Sequence, residues 1–179
     1  MFRRDLAGGR VSSFRLANGL ASLEWPRYLA GVVMRLADII DVERTTTSLP
    51  RDDKDAALGA LAELFTSLDP AEVLAAFRER EALATTGVGS GVAVPHGRLQ
   101  AVDRMVGALA VSEEGIHFDA IDGQPVHVVV AIVAPERGDL VKVLARVARL
   151  LRDDTLRSRL ARAIDADQAF RILARADGG

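Results

Sequence analysis

The chain has 179 residues, 49% of them hydrophobic but only 4% aromatic, and a net charge of −2. That length supports one substantial core filled by leucine, valine and alanine, and no apolar run approaches the roughly 20 residues that span a bilayer. With no cysteine there are no disulfides, thiolate metal sites or cysteine nucleophiles. His96, His117 and His127 stand too far apart for a local metal motif and no HExxH occurs, so neither a metal nor a cofactor is expected.

The charge is unevenly spread. Residues 1–35 carry six arginines against Asp5 and Glu24, a balance of +4, which leaves −6 for residues 36–179. Residues 1–35, which also hold Trp25 and Tyr28, therefore read as a basic leader. Nucleic-acid or membrane contact is open to such an arm. The plainer expectation is a poorly ordered leader, or an untranslated one if translation starts at Met34. Its arginines are not followed by a continuous apolar stretch, so no signal peptide is expected and the cytoplasm is the default.

Residues 36–175 are expected to form one α/β domain, with 176–179 as a tail. Thr45, Thr46 and Thr47 fit an extended entry segment. Asp52 or Asp53 can cap a helix with Leu58, Leu61, Ala62 and Phe65 on its inner face. Asp69-Pro70-Ala71-Glu72 starts a second helix that buries Val73, Leu74 and Phe77 and ends near Arg80. Gly87, Gly89 and Gly91 break any helix and form a turn before the strand Val92–Val94. Met105–Val111 reads as a strand, and Val126–Val133 as one covered on both faces. Leu140, Val143, Leu144, Val147, Leu150 and Leu151 recur at helical spacing, and shorter helices follow near 154–163 and 167–175. Helices before, between and after strands imply a mixed β-sheet flanked by helices on both faces.

The chemistry centres on His96, which this reading places at the end of a short apolar strand. A neutral imidazole is a good nucleophile near pH 7. A phosphohistidine needs the ring oriented through one nitrogen and three phosphoryl oxygens neutralised. Arginine, threonine hydroxyls and close-approaching glycine backbone supply such donors. Arg80, Thr85, Thr86, Gly87, Gly89, Gly91, His96 and Gly97 provide them within residues 80–97. A buried strand-end histidine beside a tight turn explains the same residues equally well. His117 reads as a surface histidine and His127, among valines, as a hydrogen-bonded structural one. Arg98 and Arg104 read equally as guides for a phosphorylated partner or as surface arginines.

Arg80-Glu81-Ala82, Thr86-Gly87-Val88-Gly89, Gly91-Val92-Ala93-Val94-Pro95-His96-Gly97 and Phe118-Asp119-Ala120-Ile121-Asp122-Gly123-Gln124-Pro125-Val126 together resemble the bacterial phosphotransferase system enzyme IIA of the mannitol/fructose class. Within that class they are most similar to the nitrogen-regulatory branch. The resemblance covers about residues 36–175. It implies that His96 is phosphorylated by an HPr- or NPr-type phosphocarrier, with Arg80, Thr86, Gly87 and Gly89 around the phosphoryl group. It also implies regulatory targets such as transporters or sensor kinases, and neither nucleic-acid binding nor membrane insertion. The family's second active-site histidine falls at Leu140, after a shortened loop. That substitution favours receipt of phosphate over onward transfer, or a binding module that keeps the fold without transferring.

Overall fold

The computed structural model describes residues 34–178; the expected leader, apart from Met34 and Arg35, lies outside the described residues. In chain order the elements are a 3-10 turn Leu36–Asp38, β1 (Thr45–Thr46), α1 (Lys54–Glu63), α2 (Pro70–Leu83), β2 (Gly87–Gly89), β3 (Val92–Ala93), β4 (His96–Arg98), β5 (Val106–Ile116), β6 (Val126–Ala134), α3 (Leu140–Leu150), α4 (Asp154–Ala161) and α5 (Ala166–Gly178). Asp53, Asp69 and Asp153 cap α1, α2 and α4 with side-chain bonds to the backbone two residues on. None of the described helices is long and apolar enough to cross a membrane.

The sheet runs β1-β5-β6-β3-β2, with β4 also paired to β6. Strand β6 is the axis: β5 pairs with it antiparallel, and β3 and β4 pair with it parallel. Its residues are buried on both faces, as the unbroken apolar run predicts. Val128, Val130, Ile132 and Ala134 join the core under α3, α4 and α5. Val129, Ala131 and Val133 join the opposite core under α1 and α2, where Phe65 and Phe77 meet edge to face at 5.9 Å. The sheet is therefore mixed and covered by helices on both faces.

Three local expectations change. Gly87–Gly89 is not only a turn; it forms β2, antiparallel to β3 with a register shift between Gly87 and Gly89. The strand does not end at His96, which opens β4. Ala176–Gly178, expected as a tail, form the last turn of α5, with Asp177 fully buried.

Candidate functional site

Strands β3 and β4 are one strand interrupted. Val92 pairs with Val128 and His96 with Ile132, so the register against β6 is unchanged across the break. Pro95 has no N–H to give, but its carbonyl still accepts from Ile132 N at 2.9 Å. Because register is kept, side chains alternate: Val92, Val94 and His96 face the α3 side. There they line a cleft of about 540 Å3 with Arg80, Val88, Gly89, Leu144, Leu151 and Arg152. Gly97 faces the other way, against α2; a Cβ there would lie 2.7 Å from Ala76 Cβ.

The hydrogen bonds of His96 set its tautomer. Nδ1 lies 2.8 Å from Val94 O, and a carbonyl oxygen can only accept, so Nδ1 carries the proton. Nε2 lies 3.0 Å from Arg80 Nε–H, which can only donate, so Nε2 holds the lone pair. The ring is half-buried. Burial, with the charges of Arg80 and Arg98, pulls its pKa below the usual imidazole value against the opposing pull of Val94 O and Glu81. His96 is thus a neutral, oriented imidazole whose free nitrogen points at a guanidinium.

Arg80 stands on the last turn of α2, where its Nη1 also bonds Ala84 O at 3.0 Å. The adjacent Glu81 organises the loop that follows. One oxygen of its buried carboxylate accepts from Thr86 N (2.9 Å) and Thr86 Oγ1 (2.6 Å). The other faces Lys54 Nζ at 3.4 Å, and that ammonium also pairs with Asp119 at 2.7 Å. Thr86 lines the cleft, but its hydroxyl is given to Glu81. Gly87 is needed for close packing, since a Cβ there would meet Ala120 Cα at 2.7 Å. Gly89, Ser90 and Gly91 all have positive φ (87°, 55°, 74°), and the turn is held by Asp122, which accepts from Ser90 N at 2.7 Å.

Glu81 and Asp122 lie inside the quoted motifs but were given no role from sequence. The signals were an acid five residues before a threonine and an acid in the FDAIDGQPV stretch. Arg98 is exposed and donates to the carbonyls of Pro135, Glu136 and Gly138, and so ties down the loop before α3. His117 is exposed, and His127 bonds Ser112 O through Nδ1 at 2.9 Å. Leu140 is 7% exposed and sits in the core with Val94 and Met105. Lys142 is paired to Asp139 and exposed.

A neutral histidine held by an arginine on an interrupted parallel strand, in a mixed sheet between two helical layers, describes an enzyme IIA domain. The family model for the phosphoenolpyruvate-dependent sugar phosphotransferase system, EIIA 2, matches residues 38–176, and the chain belongs to that family. It is 38% identical over 146 residues to a nitrogen regulatory protein of Bradyrhizobium diazoefficiens, covering 79% of this chain and 95% of that protein. It is 36% identical over 125 residues to a fructose-specific EIIA component of Haloferax volcanii, covering 69% and 71%. The crystal structure of nitrogen regulatory protein IIA-Ntr from Neisseria meningitidis superposes with a TM-score of 0.69 at 28% identity, covering 77% of this chain and 98% of that one.

Proposed function

We propose that this protein receives a phosphoryl group on His96 Nε2 from an HPr- or NPr-type phosphocarrier in the cytoplasm and acts mainly in regulation. The observation that carries the reading is the pair of bonds on the ring, Nδ1–H to Val94 O and Arg80 Nε–H to Nε2. In the transfer, the Nε2 lone pair takes up phosphorus in line as the donor's bond to phosphorus breaks, and the donor leaves with that electron pair. No proton has to move, because Nδ1–H stays on Val94 O. Arg80 turns from the nitrogen to the phosphoryl oxygens, where a guanidinium fork suits them better. The positive-φ turn at Gly89 to Gly91 brings backbone close to the same space. Exposed apolar side chains at Leu83, Val88 and Ile121 offer the donor a surface to dock on. The nitrogen regulatory relatives support a regulatory role over sugar transport.

A second reading is a binding module that docks to transporters or sensor kinases and transfers little phosphate. Leu140 favours it, since a leucine turned into the core offers the phosphoryl group no polar contact. The test is incubation with phosphoenolpyruvate, enzyme I and HPr or NPr, followed by intact mass, with His96→Ala as control. Acid-labile, base-stable label on the wild type alone is expected. An unlabelled wild type would leave only the docking module. Leu140→His should change the phosphorylation kinetics; unchanged kinetics would refute the role given to that position.

A further inference from the structure

The chain is acidic overall, yet residues 145–175 hold eight arginines against four aspartates. Helices α4 and α5 gather four of these arginines around one open groove of about 650 Å3: Arg159 and Arg162 on one wall, Arg171 and Arg175 on the other. Arg171 is paired with Asp167. Arg159, Arg162 and Arg175 have no carboxylate partner among the described residues. Some arginines elsewhere are occupied, as Arg78 is by Asp55, Arg98 by loop carbonyls and Arg146 by Asp177. Arg104, Arg137, Arg149 and Arg152 are also without a carboxylate partner among the described residues, but they line no part of this groove. Unpaired like charges crowded along a groove repel one another, so a complementary anion stabilises them.

We propose that this groove is the docking surface for an acidic segment of a protein partner. Two rows at i,i+3 and i,i+4 spacing suit carboxylates strung along a segment. A compact phosphate would be held by a few convergent donors, not by an open groove with Ile172 in its lining. The groove is also continuous with the His96 cleft. Ser158 and Arg162 line both it and a neighbouring hollow, and that hollow shares Ser90, Asp154 and Arg157 with the cleft. A partner seated on the groove therefore lies next to a path toward the cleft of His96, although Glu113 and Asp154 in the connecting hollow confine its acidic part to the arginine-lined groove itself. The chain's own first 35 residues are basic and are excluded as occupant by like charge.

The proposal goes beyond phosphotransfer and is tested on unphosphorylated full-length protein. A fluorescein-labelled amphipathic peptide with glutamates at i,i+4 spacing is titrated by anisotropy, with inorganic polyphosphate in a parallel arm. Wild type should bind the peptide with an affinity that falls as salt rises. Arg162→Glu/Arg175→Glu should weaken binding by about tenfold or more. Arg104→Glu/Arg149→Glu, the same charge change outside the groove, should stay within about twofold of wild type. Arg162→Gln/Arg175→Gln repeats the test should the reversal lower Tm. Equal losses in both pairs, no peptide binding at low salt, or binding of polyphosphate alone would each overturn the proposal. Phosphorylation of His96 in the groove variants should be unchanged, so failure of the docking surface and failure of the phosphoacceptor are read separately.

Discussion

At His96 two ring nitrogens of equal chemistry are made different by what faces them, an acceptor at Nδ1 and a donor at Nε2. Because the folded ring resists protonation, phosphoryl acceptance should stay flat as pH falls to about 6.5, the ordinary imidazole pKa, and drop only below it. The linkage has the same sign. The unfolded chain takes up this proton more readily, so stability is lost as pH falls below that value, and His96→Gln should remove that part of the Tm dependence. Arg80→Lys keeps the charge but loses the fork and the Nε–H, and should slow labelling of His96 by about tenfold to a hundredfold, the scale of a charged hydrogen bond. Arg80 and His96 were legible from their motif. Glu81 was not, because its partner Thr86 reaches it only after α2 ends and the chain doubles back. Glu81→Gln should lower stability by about 1–3 kcal/mol in denaturant titration while leaving the His96 residue itself in place.

Between elements, the contact that sets the site is α2 against β4. Gly97 lets the strand carrying His96 lie directly on the helix carrying Arg80. Gly97→Ala should force the two apart, lowering stability by about 1–3 kcal/mol and slowing phosphorylation together. Ala76→Gly in the same chain should restore the labelling rate, less the roughly 1 kcal/mol of stability that a helical glycine costs. Failure of that rescue would show that the clash is not with α2. The capped helices and the apolar strand β6 were readable because their signals are local: an Asx before a proline, an unbroken run of valines. Strand β2 was not, since three glycines in five residues carry turn chemistry and its pairing comes wholly from β3 across the bulge.

Across the whole described domain, two cores share the single axis of β6, and α5 closes the circuit back to the start. Buried Asp177 receives Arg146 Nε at 2.5 Å and the backbone N–H of Leu36, joining α5, α3 and the entry turn. Removing one partner leaves the other charge buried and alone, so Asp177→Ala should lower stability by about 3–5 kcal/mol by urea unfolding. Deleting residues 176–179 should do at least as much. Labelling of His96 per folded molecule should be kept in both, because this closure lies away from Arg80 and Glu81.

Residue order alone was sufficient for the α/β class, the helix starts and the central strand, since each rests on signals within a few residues. His96 and Arg80 were instead singled out by a motif spread over residues 80–97 together with the family resemblance it carries. The same resemblance, not residue order itself, put Leu140 where a second histidine is expected. Only the tertiary structure decided which nitrogen of His96 is free, why Thr86 serves Glu81, why Gly97 must be glycine, and where the unpaired arginines of α4 and α5 meet. Those facts depend on side chains far apart in the chain meeting at distances that packing sets, and no local pattern encodes such a distance.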